Sequence, residues 1–156
     1  MKHYAKIQWQ KQSAESFTDG KYHRGHQWQF DGGIHLKASS SPEVIPVPMS
    51  DASAVDPEEA FVAALCSCHM LFFLSIAAGK KYIVEEYTDA AEGIMNKDAS
   101  GRMAMDQVVL NPVVKFSGNH FPDKQQLAAM HEQAHSRCFL ANSVKTKIII
   151  QHTQDE

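Results

Sequence analysis

Cysteine is scarce in this sequence: three residues in 156, an odd number and too few for a disulfide framework. A small scaffold held together by bridges is therefore excluded. Cys66, Cys68 and Cys138 must each be weighed as packing, ligand or chemistry. An excess of one charge is also missing. The net charge is -3 and the pI is near 6.3, and no basic stripe carries interleaved aromatics, so nucleic acid is not an expected partner. There is no internal repeat and no low-complexity tract. The opening residues MKHYAKIQWQK lack the apolar core and cleavage pattern of a signal peptide. The cytoplasm is then the expected address, where thiols stay reduced. Long apolar runs are absent with one exception, residues 60–78. That run is long enough to span a bilayer. It contains Ser67, His69 and Ser75 and follows two glutamates, so it reads as a buried helix of a soluble protein, with no membrane partner.

What is present fits one globular domain. The composition is 44% hydrophobic and 21% charged, and a chain of this size buries a core without staples. The first fifty residues read as strands and loops. His3 to Trp9 alternates roughly, and HQWQF over 26–30 puts Trp28 and Phe30 on one face. Asp31-Gly32-Gly33 is a turn signal before a return strand at Ile34 to Leu36. Residues 39–50, rich in Ser and Pro, read as an irregular loop.

A helix over about 56–78 has clear punctuation. Asp56 is the N-cap, Pro57 sits at N1 and Glu59 at N3 completes a capping box. Gly79 is the expected stop. The helix is apolar on most sides, so it should be central and covered all round. Tyr82 to Met95 and Met103 to Ser117 read as two long strands joined by a turn within NKDASG, with Pro112 at a bulge or edge. Asp123 caps a second helix, with Gln126 at N3, that runs to about Arg137. Residues 144–152 close the chain as a strand. The expected fold is α+β: mainly antiparallel sheets around two central helices, in a single domain over residues 1–156. N-terminal strands occupy 1–50, and C-terminal strands plus a helix occupy 82–152.

The chemistry-bearing residues cluster on the two helices. Cys66 and Cys68 are two positions apart, which places them about 200° apart around the helix. Their Cβ vectors diverge, so they should not bridge each other. A free buried cysteine is most simply a small apolar residue. Leu127, His131, Ala134 and Cys138 lie on one stripe of the second helix, so Cys138 should face the core. Two inward-facing thiols on two helices could make a long-range pair. Glu58 stands at N2, where its charge suits the helix dipole. It lies about 15 Å along the helix from Cys68 by helical rise, too far for direct contact.

The segment HEQAH, with Cys138 beyond it, matches the zincin pattern. His131, His135 and Cys138 follow at i, i+4 and i+7, so ligation is geometrically conceivable. No metzincin extension follows, and a short HExxH arises easily by chance with nine histidines in the chain. The simpler reading packs His131 near the thiols and leaves His135 at a rim. No metal site and no cofactor are expected.

VDPEEAFVAALCSCHM and HEQAHSRCFLANSVKT, in this order, resemble the OsmC/Ohr family of thiol-dependent peroxidases. YHRGHQWQFDGG resembles one branch of it. The resemblance covers about residues 22–149. It implies an intertwined homodimer with active sites at the subunit interface. It also implies reduction of organic hydroperoxides and, less efficiently, of hydrogen peroxide, with an external dithiol as reductant. The family's register selects Cys68 as the peroxidatic thiol, Cys138 as the resolving thiol and Glu58 as the carboxylate. Arg24 is the match for the family's arginine. Phe61, Leu65, Phe72 and Phe73 would form an apolar wall for the peroxide tail. Two departures stand out: Cys66 is an extra thiol, and Phe139-Leu140 follows the second cysteine where well-known members have Cys-Pro. They leave open a metal-binding or non-catalytic ligand-binding role on the same fold.

Overall fold

The chain folds as expected where local chemistry decides. The computed structural model describes residues 1–151. They form two units, Met1–Ala60 and a second that begins at Phe61. In the first unit, β1 (Ala5–Gln8), β2 (His26–Phe30) and β3 (His35–Ala38) make an antiparallel sheet in the order β1-β2-β3. The β2–β3 turn uses Gly33 at φ 82°, a conformation that glycine adopts without cost. Residues 39–50 form no regular element.

Helix α1 (Pro57–Gly79) opens as its sequence dictates. The Glu59 N–H donates to Asp56 Oδ1 at 2.7 Å, and the Asp56 N–H donates to Glu59 Oε2 at 3.4 Å. The C-terminus corrects the expectation. Gly79 is the last helical residue, and the left-handed position falls two residues later, on Lys81 at φ 66°. The Tyr82 N–H donates to Ala77 O at 3.0 Å and the Lys81 N–H to Ala78 O at 3.0 Å. This is the Schellman pattern with lysine where glycine usually stands.

In the second unit, each expected long strand breaks in two: β4 (Ile83–Asp89), β5 (Glu92–Lys97), β6 (Met103–Leu110) and β7 (Pro112–Ser117). The breaks sit opposite each other, at Ala90-Ala91 and at Asn111. There the Asn111 N–H donates to Asp89 Oδ1 at 2.7 Å, and Asn111 Nδ2 donates to Ala90 O at 2.9 Å. These bonds replace ladder bonds and let the chain change sheets. β4 pairs with β7, and the β5–β6 hairpin joins β8 (Lys147–Ile150), which runs parallel to β6. Pro112 is the first residue of its strand and is buried, a position that tolerates a missing donor. The last strand is shorter than expected, and the expected end at His152 lies outside the described residues.

Helix α2 (Lys124–Arg137) is held by the expected capping box of Asp123 and Gln126. Its stripe Leu127, Met130, His131, Ala134 and Cys138 is buried throughout. One core gathers Phe73, Ile76, Ala77 and Tyr82 against Leu127, Met130 and Ala134. A second gathers Leu65, Val108 and Leu110, with Val62 and Met105 beside them. Gly93 permits that second contact. A Cβ there would meet Val62 Cγ2 at 2.6 Å and Met105 Sδ at 2.8 Å.

Coverage of α1 is the other departure. It is the one described helix long and apolar enough to cross a membrane, and only 28% of its most apolar window is buried within this chain. Leu71 is 61% exposed.

Candidate functional site: two thiols at an apolar cavity

The two helices bring Cys68 and Cys138 together. Cys68 is half-buried and Cys138 is 2% exposed; both are free thiols. Their thiols lie close enough to influence each other. Burial pushes the Cys138 thiol above the ordinary cysteine range, and the contact with Cys68 adds to the rise. Cys138 is the C-cap of α2, with its N–H donating to Ala134 O at 3.0 Å. The Ala141 N–H points at its Sγ from 3.4 Å. The short turn Ala141–Ser143 thus supplies a donor to this sulfur.

Cys68 lines a cavity of about 470 Å³. Leu71 and Phe72 of α1 and Phe139 and Leu140 beyond α2 supply its apolar wall, with Ser67 and Ser75 adding hydroxyls. Phe72 and Phe139 meet edge to face, with centroids 5.1 Å apart. The expected wall needs correction. Phe72 is there, but Phe61 and Leu65 pack in the second core and Phe73 in the first. A helix that is apolar on all sides gives no sign of which aromatic faces the cavity. The signal for Phe139 and Leu140 was their place directly after Cys138.

Cys66 lies on another face, as its spacing from Cys68 requires. Its thiol lies beside the Asp89 carboxylate, the group that accepts the Asn111 N–H. Burial, and then the neighbouring carboxylate, push Cys66 up to about 12. A thiol held protonated in this way is a poor nucleophile.

His131 does not sit as a zincin ligand would. Its Nδ1 lies 3.0 Å from His69 Nε2, and both side chains are 1% exposed. Phe73 stacks on the His131 ring at 4.3 Å. His69 was missed in the sequence, although it falls with Leu65, Phe73 and Ile76 on the buried stripe of α1. Burial, with His135 nearby, lowers His69 to about 4, so it is neutral at pH 7. No group of three His, Cys, Asp or Glu among the described residues could hold a metal ion.

Glu58 and Arg24 belong to the first unit. Glu58 is half-exposed at N2 of α1. The Arg24 guanidinium donates to the carbonyls of Tyr22 and Gly20 and lies 3.7 Å over the Tyr22 ring.

An α+β fold with two thiols meeting across two helices at an apolar cavity defines a class of small thiol proteins. The profile of the OsmC-like protein family matches residues 50–153, and the chain belongs to that family. An OsmC-like protein of unknown function from Vibrio cholerae is similar at 52% identity and TM-score 0.97, over 98% of this chain and 99% of that one. An organic hydroperoxide resistance protein from Elizabethkingia anophelis shares the fold at 15% identity and TM-score 0.72, over 100% and 96%. The organic hydroperoxide resistance protein OhrB of Bacillus subtilis does so at 16% identity and TM-score 0.61, over 97% and 98%. A search of curated proteins found no match.

Proposed function

We propose that this protein is a cysteine-based peroxidase that reduces organic hydroperoxides and, less efficiently, hydrogen peroxide. The observation that carries this reading is the contact of Cys68 and Cys138 at the edge of an apolar cavity. A cavity walled by Leu71, Phe72, Phe139 and Leu140 suits a peroxide with an apolar tail. Family membership supports the chemistry.

The Cys68 thiolate attacks one oxygen of the peroxide. The O–O bond breaks, the other oxygen leaves with a proton as the alcohol, and Cys68 becomes a sulfenic acid. The Cys138 thiol then attacks that sulfur. An S–S bond forms, the S–O bond breaks and water leaves. The initial contact makes this closure a short movement. An external dithiol reduces the disulfide in two exchange steps, returning both thiols.

Glu58 and Arg24 complete the site in this reading. A guanidinium beside a thiol favours its thiolate, and a carboxylate can hold that guanidinium in a fixed fork. The exposed apolar face of α1 is covered by a second copy of the chain, and the homodimer brings these two residues to the thiols. Reduced thiols suit a cytoplasmic address.

The test is consumption of cumene hydroperoxide and hydrogen peroxide by the reduced protein with a dithiol, beside Cys68→Ser. Fast loss that needs Cys68 and favours the organic peroxide is expected. Turnover by Cys68→Ser at the wild-type rate would defeat the assignment.

A further inference from the structure

The peroxidase reading leaves one feature of the two helices unused. His69 and His131 are among the most deeply buried polar side chains of the second unit, and they face each other. Their facing nitrogens are 3.0 Å apart, the ring centroids 5.3 Å apart, and the ring planes 4° from parallel. The centroid separation is close to the nitrogen distance plus two ring radii. The rings therefore lie end to end, with one N–H of one ring pointing along the lone pair of the other. Two ring nitrogens that aim at each other do not aim at a third point, so this geometry is a hydrogen bond and not a chelate.

Its position matters more than its strength. His69 follows Cys68 on α1. His131 lies seven residues before Cys138 on α2, two turns or about 10 Å along the axis. The bond thus ties together the two rigid elements that carry the two sulfurs. It forms within one chain and needs no second copy. Apolar packing alone would bury the same surface at lower desolvation cost, since a buried imidazole gives up its bonds to water. What a hydrogen bond adds is direction. It fixes both the spacing and the rotation of two helices that packed side chains would let slide. The Phe73 ring stacked on His131 holds the imidazole in the plane that the bond requires.

We infer that the His69–His131 hydrogen bond is a latch that sets α1 and α2 at the spacing where the Cys68 and Cys138 sulfurs can join. Both histidines are positioning residues for disulfide closure. Neither touches the peroxide. The inference rests on the reading that these two thiols form the disulfide, and it concerns the closure step alone.

The experiment measures that closure without peroxide. Reduced full-length protein is equilibrated anaerobically at pH 7 with mixtures of reduced and oxidised glutathione. One oxidised glutathione and the two protein thiols give the Cys68–Cys138 disulfide and two reduced glutathiones. Acid quenching, alkylation and mass spectrometry give the equilibrium constant. His131→Leu should lower it about tenfold, the scale of one lost buried hydrogen bond. His131→Asn, whose amide returns a polar group near the Nδ1 position, should restore it to within about threefold on that same scale. A His131→Leu protein with native circular dichroism and an unchanged constant overturns the latch. So does a His131→Asn protein as impaired as His131→Leu. If His131→Leu does not fold, His69→Leu against His69→Gln reads the same contrast from the other helix. Failure of both leucine variants to fold would make the pair a stability element and overturn the proposal. Wild-type protein that closes its disulfide with glutathione yet consumes no peroxide would defeat the peroxidase reading and leave the latch standing.

Discussion

The Cys138 thiol, on the cap of α2, lies beside the Cys68 thiol in the middle of α1. Neither sulfur has to cross the core to reach the other. One equivalent of organic peroxide should therefore convert both thiols into a single intramolecular disulfide, read as a Cys68–Cys138 cross-linked peptide. Cys138→Ser should stop at the sulfenic acid, which dimedone traps, after one stoichiometric turnover. A cross-link from Cys66 to either thiol would contradict the geometry.

Cys66 should be slow where Cys68 is reactive. Its thiol lies beside Asp89, and ionisation would put a thiolate next to that carboxylate in a half-buried site. Asp89→Asn removes the charge, so the Cys66 thiol should ionise more readily. Alkylation of Cys66 by iodoacetamide at pH 8 should then rise by about tenfold or more, since each pKa unit changes the thiolate fraction tenfold. An unchanged rate would mean that burial alone protects Cys66.

Acid should destabilise the protein through His69. In the unfolded chain His69 takes a proton near its ordinary 6.5, whereas in the fold burial delays this to about 4. The unfolded state therefore binds more protons between these values. The stability from neutral His69 is complete above about 6.5, falls as pH drops to about 4, and falls no further below that. The loss is about 3 kcal/mol. Denaturant midpoints between pH 7 and 4 should fall less steeply for His69→Gln than for wild type. Equal slopes would assign the acid sensitivity to other groups.

Local chemistry was legible in the sequence, and long-range pairing was not. Both capping boxes follow from residues three positions apart, so Asp56-Glu59 and Asp123-Gln126 could be read directly. The buried stripe ending at Cys138 was visible for the same reason. The strand breaks were hidden because the bonds that make them join Asn111 to residues more than twenty positions away. His69 looked like one polar residue in an apolar run, because its partner lies on the other helix. The cavity wall was misassigned because a helix with no polar face does not say which side meets which neighbour. Periodicity gave the inward face of Cys138, but only the resemblance to a family singled out Cys68 over Cys66.

Lys81 carries a cost at the end of α1. Its left-handed backbone, φ 66°, strains a side chain that has a Cβ. Glycine at this Schellman position would relieve the strain but loosen the unfolded chain. The first effect should win, because the conformation is fixed by two hydrogen bonds to the helix. Lys81→Gly should raise stability by about 0.5–1 kcal/mol, seen as a higher denaturant midpoint with unchanged slope. A lower midpoint would show that the lysine side chain contributes more than the strain removes.

Phe139 should set the preference for organic peroxides. It stands directly after the buried thiol and meets Phe72 edge to face at the cavity that Cys68 lines. It is 64% exposed, so the core does not depend on it and the alanine variant should fold. Truncation removes one side of the wall and the aromatic pair, worth about 0.5–1.5 kcal/mol beyond its buried area. Phe139→Ala should raise KM for cumene hydroperoxide by about tenfold, the scale of a hydrophobic side chain lost from a pocket. Hydrogen peroxide has no tail to hold, so its kcat/KM should be unchanged within about twofold on the same reasoning. Equal losses for both peroxides would mean that Phe139 acts on the position of Cys138 instead of on the substrate. Glutathione equilibrium of the disulfide in Phe139→Ala would separate the two, because it reads the sulfurs without any peroxide.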